Sequence, residues 1–521
     1  MSNDYLLAID CGTQSVRALV FDLGGHLVDK AQVAIDCYRA PQPGWVECDA
    51  EDFWRLVCQA CQHLWANTAV PRSSIRGVVL TTQRATVVNL GRDGLPLRPA
   101  IVWLDQRRAD VRPHLAWWWE AALRAIRMRD TVAYFTREAE ANWIAQHEPS
   151  LWSRTDKYLL LSGYLNFRLT GRLADSVASQ VGYLPFDYRR GRWAPRWDWK
   201  WQCLPIRREM LPELVAPGAQ LGSVSATASR DSGLPEGLPV IAGAADKACE
   251  VLGAGCLSPE IACLSYGTAA TINVTTQRYL EATPFIPPFQ AATPGRYNAE
   301  VQITRGFWLV NWFREQFGLH EEIEAQQLGV APERLFDDLV NAVPPGSMGL
   351  MLQPFWNPGI RFPGPEAKGA VIGFGDVHTR AHLYRAILEG LAYALRDGRE
   401  RIESRGRLRI ERIRVSGGGS QSDAALQITA NIFNLPVERP HLFETSGLGA
   451  SIIGAVGLGL HPDFASAVRE MTRVGGTFEP EVANVRIYDQ LYRRVYRRMY
   501  SRLQPLYRDI REITGYPDTG R

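Results

Sequence analysis

The apolar positions near the start of the chain fall in short runs separated by turn residues, which predicts strands before any helix. Tyr5–Asp10 (YLLAID) is the first run, CGTQS turns the chain, and Val16–Phe21 (VRALVF) is the second. DLGG then makes a hairpin turn into a third run, His26–Ala34. A helix is expected from Asp49, which caps it, with Asp52 three residues on. In EDFWRLVCQACQHLW the spacing of Trp54, Val57, Cys58, Cys61 and Leu64 gives one apolar stripe. The C-x-x-C of Cys58 and Cys61 therefore reads as core packing, in preference to a metal or redox pair.

The strand–turn–strand pattern returns about 255 residues later, where Glu260–Ser265 (EIACLS) runs into YGTAAT and then INVTT. DCGTQS and SYGTAAT look like one device used twice, which suggests two related domains facing each other across a cleft. The boundary is placed near Gly255, giving halves 1–255 and 256–521. Each half begins with strands and ends in helices, so the class is α/β. In the second half, a helix at Ala381–Ser404 carries Leu383, Ala386, Ile387, Gly390, Leu391 and Ala394 on one face. A strand at Ile413–Val415 follows, and SGGGSQSD opens another helix. The tail from Tyr488 is a helix whose Arg493, Arg494, Arg497 and Arg498 read as a solvated face. Trp117–Trp119 read as packing beneath a loop or helix.

Composition narrows the class. The chain has 521 residues, 46% hydrophobic and 22% charged, as expected of a soluble globular protein with more than one domain. A net charge of +3 gives no ground for expecting nucleic acid or a membrane surface as a partner. The opening MSNDYLLAID has no signal-peptide pattern, and no 18 apolar residues follow one another, so a cytoplasmic enzyme is expected. Nine irregularly spaced cysteines argue against a disulfide framework. A symmetric homodimer is compatible with the chain, symmetric pairs being the commonest oligomers.

The candidate chemistry sits at strand ends. Asp10 closes a buried strand, where a carboxylate needs water or a cation for company. The turn after it offers backbone N–H groups with Thr13, Gln14 and Ser15, then Arg17, a set able to hold phosphate oxygens beside a hydrated Mg²⁺. An ordinary hairpin turn capped by Asp10 is the plain alternative, and the second turn, Gly267-Thr268, weighs against it. Gly417-Gly418-Gly419-Ser420 lies between a strand and a helix, where backbone can approach a ligand closely. Gly447–Ser451 also opens a helix and reads as close packing near the cleft. Asp246, ringed by Gly243, Ala244, Ala245 and Ala248, has room above it for a substrate and suits a general base. Lys247 could lower its pKa or touch the substrate; a helix N-cap at Asp246 is the alternative. Gln83 and Arg84, with Trp103 and Asp105, lie at strand ends suited to gripping hydroxyls and stacking on a sugar face. A surface salt bridge from Asp105 to Arg107 or Arg108 is the alternative there.

Nine segments in order resemble the FGGY carbohydrate kinases over nearly the whole chain. They are AIDCGTQSVRALVFD, PGWVECDAEDFW, TTQR, IVWLDQRR, YLNFRLTG, GAADKACEVLGAG, SYGTAATINV, GAVIGFGDVHTRAHLYRAILEG and VSGGGSQSDAALQITANIF. The resemblance implies a duplicated actin-like, ribonuclease-H-like ATPase fold with ATP in the cleft. It implies that Asp246 deprotonates the acceptor hydroxyl and that Asp10 and Asp246 lie around Mg²⁺. Thr13, Gln14, Ser15, Arg17, Gly267 and Thr268 match positions that meet phosphates. Gly418, Gly419 and Ser422 match positions near adenosine, and Gly306 lies near another nucleotide-contacting segment. Gln83, Arg84, Trp103 and Asp105 match the sugar-binding region. Two departures fall where the acceptor binds: Ala85 where glycerol kinase has Glu, and Lys247 where glycerol kinase has Gln and xylulokinase Asn. They count against glycerol and leave xylulose without support, and Lys247 points toward an acidic or larger acceptor. The expected activity is ATP-dependent phosphorylation of a small sugar or polyol. The rivals are an actin-like ATPase module without an acceptor and a catalytically silent sugar sensor.

Overall fold

The computed structural model describes residues 4–330, 332–359 and 362–516, so residues 1–3 and 517–521 of the two expected halves lie outside it. β1 (Tyr5–Cys11), β2 (Ser15–Asp22) and β3 (Leu27–Ala34) form an antiparallel meander. Every residue of β1 after Tyr5 is buried, because both faces of the strand are covered and its sequence needs no alternation. β3, at the edge, alternates half-buried with exposed positions. α1 (Ala50–Asn67) starts where expected, with the Asp49 side chain accepting from the backbone N–H of Glu51. Cys58 and Cys61 are buried on its inner face, and burial pushes the Cys58 thiol up to about 12, so both stay neutral packing groups.

β4 (Ile75–Thr82) runs parallel to β1. β5 (Gln220–Ser223) and β6 (Pro239–Ile241) complete a six-stranded sheet of order β3-β2-β1-β4-β6-β5. α2 (Asp246–Gly253) follows β6. The second half repeats the plan. β7 (Ile261–Tyr266), β8 (Ala270–Thr276), β9 (Phe289–Gln290) and β10 (Tyr297–Ile303) lead to helices α3 (Trp308–Phe317), α4 (Pro332–Asn341) and α5 (Arg380–Gly406). β11 (Arg412–Ser416), α6 (Asp423–Phe433), β12 (Val437–Pro440), α7 (Thr445–Gly457) and β13 (Val474–Phe478) follow. The second sheet has order β9-β10-β8-β7-β11-β12-β13. In both sheets an antiparallel meander adjoins two parallel strands, and an antiparallel strand closes the edge beyond them. The turns after β1 and after β7 are therefore equivalent.

α7 crosses to the first sheet. Leu448, Ile452 and Ile453 share a buried cluster with Leu6, Ala8 and Val79. Its backbone meets that of α2 directly: a Cβ on Gly253 would lie 1.9 Å from the Thr445 carbonyl oxygen, and one on Gly449 1.9 Å from that of Cys249. The close packing expected of Gly447–Ser451 is this contact.

One reading is corrected. The tryptophan run does not pack away: Trp117 is 81% exposed and Trp118 42%. Trp119 is half-buried: Trp118 packs on it at 4.7 Å, and Trp119 stacks on Trp197 and donates to its carbonyl at 3.0 Å. In the tail, Arg493, Arg494, Arg497 and Arg498 are exposed, as expected of a solvated face. No helix among the described residues is long and apolar enough to cross a membrane.

Gly449→Ala is expected to destabilise the protein by about 1–3 kcal/mol, since a methyl must displace backbone. Gly476→Ala, where a Cβ meets nothing within 4 Å, is the control and should change stability by less than about 0.5 kcal/mol. Thermal or urea unfolding checks both, and equal melting for the two variants would overturn the contact's role.

Candidate active site

The equivalent turns face each other across a cleft of about 400 Å³. Its floor lies at the carboxyl ends of β1, β7 and β11 and at the start of α2. The first turn is closed by the Gly12 N–H donating to the Ser15 carbonyl at 3.1 Å. It is braced from behind at three points. Ile35 N–H donates to the Gln14 carbonyl at 2.9 Å, Tyr38 hydroxyl to the Thr13 carbonyl at 2.7 Å, and Trp103 Nε1 to Thr13 Oγ1 at 3.0 Å. Thr13, Gln14, Ser15 and Arg17 line the cleft side.

The second turn, Gly267-Thr268, is held by Phe307 N–H donating to the Gly267 carbonyl at 3.0 Å and Gly306 N–H to the Thr268 carbonyl at 2.9 Å. Gly306 itself lies behind the turn, where a Cβ would be 2.1 Å from the Ala270 nitrogen. Gly306, expected near the nucleotide, does not line the cleft, whereas its neighbour Phe307 does and stacks on Tyr266 at 4.4 Å. The glycine-rich segment enters with Gly417 at φ +83° and wraps against that ring. A Cβ on Gly419 would lie 2.2 Å from the Phe307 ring, so the close approach requires glycine. Ser422 caps α6 by accepting from Ala425 N–H at 3.0 Å, and its hydroxyl donates to Asp337 of α4. Phe307, Asn311, Asp337, Tyr384 and Leu388 complete this wall from α3, α4 and α5.

Asp10 and Asp246 share the floor. Burial pushes Asp10 up to about 7, Arg17 opposes the shift, and Asp246 adds to it by repulsion. Arg17 Nη1 is shared between Asp10 at 3.2 Å and Glu444 at 3.3 Å. Among the described residues Asp10 Oδ1, Ser15 Oγ, Arg17 Nε and Gln83 Oε1 are buried with no hydrogen-bond partner. An unpaired carboxylate oxygen beside a second carboxylate fits a hard divalent cation such as Mg²⁺, which takes oxygen ligands. Asp246 is also raised, by burial first, with Lys247 and Arg84 lowering it. It is the first residue of α2, and Ala245 occupies the N-cap. Its Oδ1 accepts from Lys247 N–H at 2.7 Å. Lys247 Nζ binds Glu250 Oε2 at 2.8 Å and the Ser265 hydroxyl, while Glu250 Oε1 accepts from Ser416 at 2.6 Å.

The residues expected to grip the acceptor divide. Arg84 Nη1 and Nη2 reach Glu300 of β10 at 3.2 Å across a small recess that Lys247 and Asn298 also line. Gln83 is buried beneath the first turn, its N–H donating to the Cys11 carbonyl at 2.9 Å. Trp103 braces the first turn. Asp105 does not line the cleft: the Arg107 guanidinium binds both its oxygens, at 2.8 and 2.7 Å, and the backbone N–H groups of Arg107 and Val46 add bonds at 2.8 and 2.6 Å. The salt bridge weighed against a sugar contact is present, but buried, because Trp45 and Trp143 cover Arg107. The expectation of Asp105 as a sugar ligand is corrected on that ground.

Two family models match the chain: the FGGY family of carbohydrate kinases, N-terminal domain, over residues 5–253, and its C-terminal domain over residues 262–458. The chain belongs to the FGGY family of carbohydrate kinases. It is 32% identical over 501 residues to the uncharacterised sugar kinase YgcE of Escherichia coli, covering 94% of this chain and 92% of the relative. It is 27% identical to a xylulose kinase of Staphylococcus epidermidis, covering 94% and 95% of the two chains. The crystal structure of xylulose kinase from Rhodospirillum rubrum superposes with a TM-score of 0.78 at 26% identity, over 97% of this chain and all of that one. The fold is thus the duplicated actin-like one of FGGY kinases, and the protein is a kinase.

In this FGGY kinase, the raised Asp10 pKa gives a signed prediction for the ligand-free protein. A carboxyl raised from 3.8 to about 7 favours the folded state below the unfolded value and loses that advantage as pH rises through 7. Asp10→Asn removes the ionisation. The stability of the variant relative to wild type should therefore rise between pH 5 and pH 8, by about 2 kcal/mol. Chemical denaturation at the two pH values measures this, and a difference independent of pH would remove the assignment.

Proposed function

We propose that the protein transfers the γ-phosphoryl group of ATP to a hydroxyl of a small sugar or polyol, with Asp246 as general base. The observation that carries the reading is a buried carboxylate, Asp10, and a half-buried one, Asp246, between two facing phosphate-sized turns. The triphosphate lies between the turns at Thr13–Ser15 and Gly267-Thr268, and Arg17 draws charge from its oxygens. The purine rests against Phe307, Gly418, Gly419 and the segment capped by Ser422. Asp10 and Asp246 would hold Mg²⁺, which would neutralise charge developing on the phosphates.

Asp246 takes the acceptor proton as the hydroxyl attacks in line. Its raised pKa suits a base: the carboxylate is less stabilised than in water and binds the proton more firmly. Arg84 and Lys247 face the acceptor side and keep Asp246 from rising so far that it stays protonated. Closure of the halves, residues 1–255 and 256–521, keeps water from competing with the sugar.

Asp246→Asn should lower kcat by about 10²–10⁴ while ATP affinity changes by less than about threefold. Near wild-type turnover would remove Asp246 from the role. For the wild type, kcat/KM should fall as pH drops through an ionisation above the usual carboxylate range, because the base must be deprotonated. The acceptor is found by following ADP release with Mg-ATP across polyols, ketoses, aldoses and sugar acids. One compound that stimulates release and gains phosphate supports the kinase reading. A high rate without any acceptor supports an ATPase module, and binding without transfer supports a sensor.

A further inference from the structure

Two thiols outside the cleft lie against each other behind the first turn. Cys37 follows β3 and Cys48 immediately precedes the cap of α1, and their sulfurs are 2.6 Å apart. A disulfide bond is about 2.05 Å long, so roughly half an ångström of movement separates the contact from the bond. Cys48 is fully buried, whereas Cys37 is half-buried and open to a small reactant.

The pair is also electrically unequal. A hydrogen bond from the Cys48 thiol holds Cys37 below the usual thiol range, with burial and the Asp52 and Asp36 carboxylates opposing. The same bond, with burial and the carboxylates of Asp52 and Asp49, pushes Cys48 well up. The reachable sulfur is thus the better thiolate and the buried one the resolving group, the division of roles that thiol–disulfide exchange requires. Cys37 also sits between the residues that brace the first turn, Ile35 on Gln14 at 2.9 Å and Tyr38 on Thr13 at 2.7 Å.

We propose that Cys37 and Cys48 form a reversible disulfide, and that the bond acts on the nucleotide site through residues 35–38. The oxidant is a small-molecule disulfide of the glutathione class. The Cys37 thiolate attacks one of its sulfurs and expels one thiolate. The Cys48 sulfur, giving up its proton, then attacks Cys37 in the mixed disulfide and expels the second. One disulfide outside is broken and one inside is made; two electrons and two protons pass to the small molecule, leaving two free thiols. Asp52 lies within reach of both sulfurs, so the trio also has the composition of a zinc site. Zinc, however, holds each sulfur at about 2.3 Å in a tetrahedral array. That spreads two sulfurs well beyond the contact seen here, whereas a disulfide draws them together.

The bond formation is independent of what the cleft binds; its effect on the cleft rests on the ATP reading. The full-length protein is incubated with oxidised glutathione, then alkylated and analysed by mass spectrometry, and its ATP kinetics are measured before and after. The expected result is a loss of about 2 Da, alkylation blocked at Cys37 and Cys48 but unchanged at the other cysteines, and reversal by dithiothreitol. The KM for ATP should shift at least about threefold with the bond and return on reduction. Cys48→Ser should keep basal turnover and trap glutathione on Cys37, and Cys37→Ser should take up none. Alkylation of both thiols after oxidation overturns the bond. A bond formed with unchanged ATP kinetics overturns its action on the site. One zinc ion per chain whose removal frees both thiols overturns the proposal in favour of a metal site.

Discussion

The backbones of α2 and α7 touch with no side chain between them, and the active site is hung on that contact. α2 begins with Asp246, its middle carries Lys247 and Glu250, and its end is Gly253, pressed on the Thr445 carbonyl. Lys247 and Glu250 reach Ser265 of β7 and Ser416 of β11 in the second sheet. A helix whose sequence belongs to the first half is therefore fixed at both ends by the second. The distance of the Asp246 carboxylate from the second phosphate turn is set by backbone contact and buried hydrogen bonds, which deform far less than long side chains at a surface.

That arrangement changes what Lys247 can contribute. Read from the sequence, a lysine beside the base suggests a free cation for an acidic acceptor. In the fold its ammonium is held by Glu250 and the Ser265 hydroxyl, and its raised pKa keeps it charged within that pair. Coulombic attraction toward an outside anion is largely spent on Glu250. The departure from the Gln and Asn of the family is thus a structural tie between halves that also trims the polar room at the acceptor side. On the proposed reading, acceptor choice would rest on shape and hydrogen bonding around Arg84, Asn298 and Lys247 more than on net charge.

The strands and turns were legible because their signals are local. β1, β2 and β3 follow from short apolar runs broken by Gly12 and by Gly24-Gly25, and the internal repeat disclosed the second turn without reference to any contact. Close packing of Gly447–Ser451 was legible as well, since small residues at a helix start have few other uses. What was not legible depends on partners distant in the chain. The Asp105–Arg107 pair could be weighed from the sequence as a surface salt bridge, but not its burial, which Trp45 and Trp143 impose from elsewhere in the chain. The exposed Trp117 and Trp118 carry the same letters as buried tryptophans. Asn311, Asp337, Tyr384 and Leu388 reach the nucleotide wall from three helices whose sequences mark only their apolar faces. The thiol pair behind the first turn was hidden for the same reason: Cys37 and Cys48 lack a motif spacing, and only the pairing of Arg39 with Glu47 folds the intervening loop back on itself.

If the acceptor enters beside Arg84, as proposed above, the halves must work together. Arg84 comes from the end of β4 and Glu300 from β10, so their ion pair spans the two sheets, with side chains 16% and 7% exposed. The recess between them has about 10 Å³, room for no more than a single water. A sugar cannot enter beside that closed pair; the halves must part, or the pair must yield its hydrogen bonds to the hydroxyls of the acceptor. A buried ion pair broken without replacement is costly, whereas one exchanged for hydroxyl contacts loses little. An acceptor with hydroxyls placed to satisfy both Arg84 and Glu300 therefore opens and refills the recess at small net cost. One lacking them leaves two buried charges unpaired and is rejected, which places discrimination in the same step that brings the hydroxyl to Asp246.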